Sequence, residues 1–343
     1  MENMVMPHLT VRPDWLATTT EDALEPDRPI IDPHHHLWER PNARYLFHDL
    51  IEDVYAGHNI VGTVYVQCRS MHRKDGPEEM KPVGEVEFVV GAAAMGDSGH
   101  YGPCRVCAGI VGTADLTLGA AVAPVLDALA AAGGGRLKGV RMPVAASEDP
   151  GVVTSAIAPP LGLMALESVA EGVREMGRRG LVLDIWCYQT QLGEALALAR
   201  RAPEATIVID HVGGVLGVGG FKGRRDEVYD GWRADMAALA ASPNVRVKLG
   251  GLAMHTVGWG FETAATAPGS AMLADAWRPY IEPCIEMFGP ERAMFESNFP
   301  VDKGMVSYGV CWNAFKRLAS GASEGEKDSL FRGVAADTYR LNL

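Results

Sequence analysis

Short apolar segments rich in β-branched residues alternate with amphipathic segments along most of the chain. Eight of these apolar segments have the composition of buried β-strands, because β-branched and aromatic side chains suit a pleated, buried surface. They cover residues 30–32, 60–66, 106–111, 140–142, 181–186, 206–209, 245–249 and 293–295. Short apolar strands of this kind, separated by helical patterns, are typical of a parallel sheet covered on both faces.

The segments between the strands repeat apolar side chains at spacings of three and four residues, which predicts amphipathic helices. One such stripe runs from Leu163 to Met176 and is followed by Gly180, which ends a helix. Further helices are predicted over residues 192–199, 232–239, 277–288, 309–319 and 323–340. Ser323 and Glu326 have the spacing of a capping box at the start of the last one.

This order of elements predicts an α/β protein with a closed (β/α)₈ TIM barrel. Eight strand–helix units in one chain suit a barrel better than an open sheet. The glycine-rich stretch 213–223 lacks the G-x-G-x-x-G spacing of a dinucleotide-binding turn, because Lys222 stands where the third glycine would be. We therefore expect residues 30–343 to form one barrel domain, preceded by an N-terminal extension over residues 1–29.

The charge balance limits the expected partners. The 343 residues contain 31 Lys and Arg against 43 Asp and Glu, a net charge of −12, and no basic stripe offsets it. Nucleic acid is therefore not an expected partner, because its binding needs concentrated positive charge. No uninterrupted apolar run approaches about 18 residues, so no membrane span is expected. A small-molecule substrate is the expected partner, and a homodimer stays open because no apolar stripe marks an interface.

Six scattered cysteines do not have the spacing of a disulfide framework. Buried free thiols are expected, and a metal or redox pair at Cys104 and Cys107 is the alternative, although no second pair follows it. The first 29 residues lack a secretory leader pattern, and we expect a cytoplasmic protein. The chain also lacks the G-x-S-x-G elbow of serine hydrolases and the P-loop of nucleotide-binding proteins.

The strongest chemical signal is a run of three histidines after the first predicted strand. Alternate side chains of an extended chain share a face, so His34 and His36 point into the barrel mouth and His35 points away. Two imidazoles on one face can bind a borderline-soft metal ion or hydrogen-bond a polar substrate, and three solvated loop histidines are the alternative. His211 ends the sixth strand, where Asp210 either orients an imidazole or caps the turn.

Further polar and aromatic candidates stand at other strand ends. Arg141 ends the fourth strand, where a guanidinium can bind a substrate carboxylate or stabilise an oxyanion. Lys138 is either a second site cation or a solvated charge, and Lys248 is either a site residue or half of a buried ion pair. The other candidates for substrate binding, each also explained by packing, are Gln67, Trp186, Tyr188, Gln191 and His255.

Four motifs together resemble those of a known family. They are His34-x-His36, Asp210-His211, the segment 138–141 (KGVR) and the segment 295–302 (FESNFPVD). From about residue 29 onward the chain is similar to amidohydrolase-related TIM-barrel proteins, in particular to the lactonase-type branch with L-fuconolactonases and 2-pyrone-4,6-dicarboxylate lactonase. The resemblance implies that His34, His36 and His211 are metal ligands or active-site histidines. It implies a divalent metal, zinc first and manganese second, although some members of the branch work without metal.

One departure from the family pattern concerns the catalytic base. The family's eighth strand usually ends with an aspartate in a Gly-Ser-Asp-Trp-Pro-like segment, and Asn298 stands at that position here. An amide cannot usefully accept a proton at pH 7. We expect Glu296, on the same strand face, to act as the base with a pKa raised toward neutrality by burial, with Asp302 as the alternative. Glu296 can instead form a buried ion pair with Lys248 or Arg141.

The resemblance implies a hydrolase that opens a lactone, the cyclic ester of a small carboxylated or sugar-like molecule, with activated water. In this interpretation Arg141, or a metal ion on the three histidines, polarises the carbonyl, and Glu296 or Asp302 deprotonates the water. A carboxy-lyase on the same barrel is one alternative, and a binding barrel that lost catalysis through Asn298 is another. Opened lactone, released CO₂ or binding without turnover distinguishes the three.

Overall fold

A computed structural model describes residues 8–41, 43–153, 155 and 157–343. Within these ranges, eight strands form one parallel sheet in chain order, and two short strands pair as an antiparallel hairpin. The barrel strands are β1 (Pro29–His35), β4 (Asn59–Val66), β5 (Arg105–Gly112), β6 (Leu137–Arg141), β7 (Val182–Ile185), β8 (Ile207–Ile209), β9 (Val245–Leu249) and β10 (Ala293–Phe295). The hairpin consists of β2 (Trp38–Arg40) and β3 (Ala43–Tyr45), directly after β1.

Backbone contacts beyond the end of β10 close the sheet onto β1. The amide of Asn298 donates to the carbonyl of His34 at 3.0 Å, and the amide of His36 donates to the carbonyl of Phe299 at 2.7 Å. Asp32 strengthens the seam, because its carboxylate accepts the hydroxyl of Ser297 at 2.6 Å and that of Tyr308 at 2.9 Å. The (β/α)₈ barrel that the sequence predicts is therefore confirmed, and its eight strands form a nearly closed sheet.

A helix follows each barrel strand and covers its outer face. The helices in the described residues are α1 (Pro13–Leu16), α2 (Phe47–Val54), α3 (Val83–Asp97), α4 (Ala123–Gly133), α5 (Glu167–Arg178), α6 (Leu192–Arg201), α7 (Arg225–Ala240), α8 (Ser270–Phe288), α9 (Tyr308–Leu318), α10 (Glu324–Asp328) and α11 (Val334–Thr338). Four of them, α1 to α4, had no predicted counterpart. In α3 the apolar residues and small residues run on continuously, so no one-sided stripe distinguishes it.

The N-terminal segment is fastened along the barrel by hydrogen bonds to distant parts of the chain. The indole of Trp15 donates to the carbonyl of Ala264 at 2.9 Å, and the carboxylate of Glu21 accepts from Ser270 at the start of α8. Lys316 of α9 donates to the carbonyls of Leu24 and Glu25 at 2.7 and 2.9 Å. These contacts hold residues 15–25 in place before β1 begins at Pro29, and residues 1–7 of the predicted extension lie outside the described residues.

The C-terminal segment packs inside the barrel on the inner face of the sheet. A predicted helix over 323–340 is in fact α10, a π-helical turn (Ser329–Gly333) and α11. Beyond α11, Tyr339 and Leu341 pack against inward-facing apolar residues of the strands, among them Ile31 and Val182. The hydroxyl of Tyr339 reaches the carboxylate of Asp184 at 2.9 Å, so the last residues of the chain fill the interior below the strand ends.

One helical stretch, Leu116–Gly133, is long and apolar enough by composition to cross a membrane, with a mean hydropathy of 1.6. This differs from the sequence-based expectation, although the stretch is weak support for a span because core helices pass the same test. It consists of a 3₁₀ segment (Leu116–Val122), in which Gly119 departs from helical geometry, and of α4, whose Leu126 and Leu129 are buried. The six cysteines are free thiols and five of them are buried, whereas the compartment stays a prediction.

Candidate active site

A cavity of about 530 Å³ opens at the carboxyl ends of the barrel strands. This size suits a small molecule, and active sites of (β/α)₈ barrels lie at this end. The strands and strand ends contribute His36, Gln67, Arg141, Trp186, His211 and Asn298. The hairpin strand β2, loops and the N-terminal segment contribute most of the remaining wall, including His8, Trp38, Glu39, Arg40, Cys68, Arg69, His72, Ile157, Pro159 and Met254.

The histidines of β1 point alternately into and out of the barrel, as predicted. The rings of His34 and His36 lie inside with their centroids 5.0 Å apart, whereas His35 Nε2 bonds Thr63 Oγ1 at 2.9 Å on the other side. His36 Nδ1 donates to the carbonyl of Val66 at 2.7 Å, which fixes the proton on that nitrogen. Burial holds the pKa of His36 well below its ordinary value, so the ring is neutral.

A buried carboxylate, Glu296, connects two of the histidines. Its Oε1 accepts the Nδ1–H of His211 at 2.6 Å and the backbone N–H of His211 at 3.1 Å, and its Oε2 lies 2.7 Å from His34 Nδ1. Burial alone would raise the pKa of Glu296, but the two imidazoles lower it to about 2. An ionised Glu296 therefore orients both rings, and no described residue pairs with Nε2 of His211.

This geometry corrects two expectations for Glu296. Its pKa is lowered rather than raised, because two imidazole N–H groups offset the cost of burial. Its partners are His34 and His211 rather than Lys248 or Arg141. Glu296 also does not line the cavity, whereas His211 does. The carboxylate consequently acts on the cavity through His211.

The backbone around these residues is shaped to admit their side chains. His211 and Asn298 have φ angles of 57° and 55°, a left-handed conformation that costs a residue with a side chain roughly 1–2 kcal/mol. After β9, Gly250 and Gly251 leave the space that Glu296 and the His211 ring occupy, since a Cβ at either glycine would overlap them. The Gly-Gly pair and the two strained turns therefore belong to the architecture of the site.

Beneath the histidines lies a network of buried charges. Arg141 Nη1 lies 3.2 Å from His34 Nε2 and 3.3 Å from Asp210 Oδ2. Lys248 Nζ lies 2.6 Å from Asp184 and 3.3 Å from Asp210. Burial alone would raise the pKa of Asp210, but Lys248 and His34 hold it well below its ordinary value. Burial alone would lower the pKa of Lys248, but the two aspartates hold it well above. Lys248 is thus half of a buried ion pair and does not reach the cavity.

His34, Asp210 and His211 form a group that could hold a metal ion, with one donor atom of each within 4.8 Å of the others. Imidazole nitrogen and carboxylate oxygen are donors that zinc takes, so the chemistry of the set fits. The set replaces the predicted His36 with Asp210. In the structure two of these donors already face cations, because Arg141 contacts His34 Nε2 and Asp210, and Lys248 also contacts Asp210. A metal ion would have to displace the guanidinium of Arg141.

Asn298 lies at the cavity and Asp302 lies behind it. The side chain of Asn298 donates from Nδ2 to Asp302 Oδ1 at 2.8 Å, and Asp302 Oδ2 accepts the backbone N–H of Ala253 at 3.0 Å. Burial raises the pKa of Asp302 to about 7. The raised pKa that the sequence predicts for Glu296 is therefore found at Asp302, which does not line the cavity.

This buried carboxyl group should make stability depend on pH. The folded-state pKa of Asp302 is about 7 against an ordinary value of 3.8, so between these values the folded protein binds a proton that the unfolded chain has lost. The free energy of unfolding should then fall as pH rises, by up to about 1.4 kcal/mol per pH unit from this group. Urea denaturation of wild-type protein and the Asp302→Asn variant from pH 4.5 to 7 measures it.

The expected result is a stability difference between wild type and Asp302→Asn that shifts in favour of the variant as pH rises. Asp275→Asn provides the matched control, because Asp275 is exposed on α8 and loses the same charge. Parallel pH profiles for wild type and Asp302→Asn would contradict the raised pKa.

The other candidates from the sequence divide into two groups. Gln67 and Trp186 line the cavity, and the Trp186 ring lies 4.8 Å from that of His211. The remaining four lie outside its lining: Lys138, Tyr188, Gln191 and His255. Gln191 instead pins the loop after β6 by donating to the carbonyl of Val144, and Tyr188 packs in a small apolar cluster. Lys138 stands beside Arg136 and Arg340, and His255 is exposed.

Several cavity residues were not identified from the sequence. Trp38 and Arg40 come from the hairpin strand β2, and Arg69 and His72 come from the loop after β4. Glu85 of α3 was also missed, although it fixes the loop after β4 by accepting the amides of Cys68 and Ser70 at 2.7 and 3.0 Å. No local motif marks these residues, because their role depends on contacts between segments far apart in the chain.

Comparisons with known proteins identify relatives along nearly the whole chain. The sequence profile of the amidohydrolase family matches residues 31–341. An uncharacterized protein of Sinorhizobium fredii is 33% identical over 337 residues, which cover 92% of this chain and 99% of that protein. An L-fucono-1,5-lactonase of Burkholderia multivorans is 32% identical over 177 residues, which cover 50% of this chain and 55% of the lactonase.

A solved structure supports the same architecture. The crystal structure of an amidohydrolase from Burkholderia multivorans with bound zinc superposes with a TM-score of 0.70 at 24% sequence identity. The superposition covers 91% of this chain and 99% of that one. At this identity the likeness establishes the barrel fold, and the zinc belongs to the Burkholderia protein.

Proposed function

The chain belongs to the amidohydrolase family, and from that premise we propose that it hydrolyses a lactone, the cyclic ester of a small molecule. The observation that carries the proposal is the placement of His211, oriented by Glu296, in the same cavity as Arg141. A base and a cation in one cavity are the two groups that attack of water on an ester carbonyl requires. The partial match to an L-fucono-1,5-lactonase supports the ester class.

In this proposal His211 is the group that activates water. Its Nδ1 carries the proton that Glu296 accepts, so Nε2 has a lone pair available for a water proton. The carboxylate of Glu296 also stabilises the imidazolium that forms when the proton is taken up. Glu296 is a positioning residue, and His211 takes over the role that the sequence assigned to Glu296 or Asp302.

Arg141 is the group that polarises the carbonyl. Its guanidinium lines the cavity and is held by the carbonyl of Gln67 at 2.6 Å and by Asp210 at 3.3 Å. A fixed and largely buried cation stabilises the negative charge that develops on the ester oxygen. The buried Oε1 of Gln67 has no partner among the described residues and can accept a hydroxyl of the substrate.

The reaction balances without a further reagent. The water oxygen bonds to the carbonyl carbon while its proton passes to His211 Nε2. Collapse of the tetrahedral intermediate breaks the ring C–O bond, and the proton on Nε2 passes to the departing alkoxide oxygen. The product is an open-chain hydroxy acid, which releases one further proton to solvent at pH 7.

A metal ion would change which group polarises the carbonyl. Held by His34, Asp210 and His211, zinc or manganese would supply Lewis-acid chemistry at the ester oxygen. It would also occupy the His211 nitrogen and replace Arg141, so the metal arrangement and the Arg141–His211 arrangement exclude each other. We propose the second, because the contacts of Arg141 with His34 and Asp210 are those of a guanidinium seated among the donors.

The test is an assay of chelator-treated protein on a panel of lactones, with metal content measured by inductively coupled plasma mass spectrometry. Ring opening is measured as one equivalent of acid per turnover. We expect it to persist when the protein contains less than about one metal ion per ten chains. Loss of activity on chelation, with recovery when zinc is added, would overturn the Arg141–His211 arrangement. The proposal that the protein is a hydrolase would be unaffected.

The same assay separates the alternative functions. Release of CO₂ from carboxylated aromatic acids without lactone opening would replace the proposal with a carboxy-lyase. Tight binding of lactones without turnover would replace it with a binding barrel. Untreated protein assayed in parallel provides the control for any damage that the chelator causes.

A further inference from the structure

Three arginines of the cavity wall are connected to one turn, two through their guanidinium groups and one through its backbone. The turn follows β4, and its consecutive carbonyls each receive an arginine: Arg141 Nη2 donates to Gln67 O at 2.6 Å, and Arg40 Nη2 donates to Cys68 O at 2.7 Å. Arg69 is the next residue of the turn. All three arginines line the cavity, so one short segment concentrates their charge in one part of its wall.

Two of these arginines have no carboxylate partner among the described residues. Arg141 contacts Asp210 at 3.3 Å, but Arg40 stacks on the ring of Trp38 at 4.1 Å and otherwise bonds only a carbonyl. Arg69 donates to Ser155 Oγ and Ile157 O, both at 3.4 Å. Glu85 lies behind the same turn, but its oxygens accept backbone amides, a tyrosine hydroxyl and His72. The two guanidinium groups keep most of their donors for a ligand.

The arrangement is costly in the absence of an anion. Arg69 is partly exposed, and the buried part of its side chain, followed by the charge of Arg40, lowers its pKa, so the two cations oppose each other. Arg69 also holds a left-handed φ of 60°, which costs roughly 1–2 kcal/mol for a residue with a side chain. Strain and like-charge repulsion at one place in a binding cavity are typical of a site that a ligand completes.

The charge of the cavity lining is opposite in sign to the net charge of the whole protein. The net charge of the chain is −12, yet the described residues that line the cavity include three arginines and a single carboxylate, Glu39. His8 and His36 add no charge, because burial lowers the pKa of His8 to about 4 and that of His36 well below its ordinary value. A positive cavity in an acidic protein attracts anions selectively to that cavity.

We propose that Arg40 and Arg69 form a carboxylate-binding subsite, so that the substrate is an anionic lactone bearing a carboxylate group rather than a neutral sugar lactone. This inference rests on the proposed function and deepens it. A guanidinium group matches the planar oxygens of a carboxylate through two parallel N–H···O bonds, and a second guanidinium nearby adds charge and donors. The carboxylate anchors the molecule at the turn after β4, and Arg141, held by the neighbouring carbonyl, meets the ester group.

The first experiment measures binding directly and does not depend on turnover. Isothermal titration calorimetry with citrate as the probe, and sorbitol as the uncharged control, is carried out on wild type, Arg40→Gln and Arg69→Gln. We expect wild type to bind citrate, each variant to bind about 10–100-fold more weakly, and sorbitol not to bind. The affinity of wild type should also fall as NaCl is raised.

Arg44→Gln is the matched control. Arg44 lies on β3, pairs with Asp49 outside the cavity and loses the same charge when substituted. Its citrate affinity should equal that of wild type. Equal citrate affinity in wild type, Arg40→Gln and Arg69→Gln, or no binding of citrate to wild type, would overturn the subsite. Arg69 is exposed, so its variant tests the proposal even if Arg40→Gln fails to fold.

A second measurement separates failure of the subsite from failure of the proposed function. The ratio kcat/KM is compared for a carboxylated pyrone lactone and for neutral L-fucono-1,5-lactone. The proposal expects a preference for the carboxylated lactone that Arg69→Gln removes through KM. If citrate binding needs Arg40 and Arg69 but no lactone is opened, the carboxylate-binding subsite is supported and the proposed lactonase activity is refuted. If the neutral lactone is opened without a preference for the carboxylated one, and Arg69→Gln does not change the rate, the lactonase activity is supported and the subsite is refuted.

Discussion

Substitution of His211 with asparagine is expected to lower kcat for lactone opening by about 10³-fold, within the range for removal of a general base. Asparagine keeps a polar side chain in the space of the ring but provides no basic nitrogen for the water proton. The steady-state kcat at saturating substrate, with near-ultraviolet circular dichroism to check the fold, measures this effect. A kcat within tenfold of wild type, a limit of about 1.4 kcal/mol in the barrier, would remove His211 from the role of base.

His255→Asn is the matched control for this variant. His255 also follows a barrel strand, but it is exposed and lies outside the cavity lining. Its substitution should leave kcat and KM at wild-type values. A comparable loss of activity in both variants would indicate a general effect of histidine removal at this end of the barrel.

Glu296→Gln is expected to reduce kcat by about 10³–10⁴-fold, because a carboxylate that orients a histidine base has effects of this size. Glu296 contacts the Nδ1 atoms of both His34 and His211 through its two oxygens. Glutamine offers one oxygen and one NH₂ group, so at least one of the two rings must lose its acceptor and change its protonated nitrogen. Nitrogen-15 NMR of the ring nitrogens detects that change, which a purely structural role would not produce.

Glu291→Gln provides the control, because Glu291 is exposed just before β10 and loses the same charge. The double variant His211→Asn with Glu296→Gln gives a further check. Since the two residues act as one unit, the kcat of the double variant should lie within about threefold of the kcat of the slower single variant. Full kcat in Glu296→Gln, or multiplied losses in the double variant, would contradict the proposed coupling.

The barrel could be predicted from the sequence because each strand leaves a local signal. The eight β-branched segments correspond to the eight barrel strands, and helix ends such as Gly289 after α8 follow from glycine and proline positions. The segment 83–97 could not be predicted in the same way. Its exposed positions include Gly91 and Ala94, so the solvent-facing side of the helix lacks the polar residues that make a helix periodic.

The candidate site could be predicted where adjacent residues carry it. His34 and His36 share a strand face, and Asp210 and His211 stand together at a strand end. The charge state of Glu296 could not be predicted, because it is set by His211, 85 residues away, and by His34 on the first strand. The turn that gathers Arg40 and Arg141 is likewise built from segments that meet only in the folded chain.

The C-terminal residues inside the barrel have a consequence for synthesis on the ribosome. Chains emerge from their N-termini, so all eight strands are made before Tyr339 is available. Until then Asp184 lacks the hydroxyl that it binds in the finished protein, and the space filled by Leu341 stays open to water. Packing of Tyr339 and Leu341 into the barrel interior therefore follows the synthesis of all eight strands.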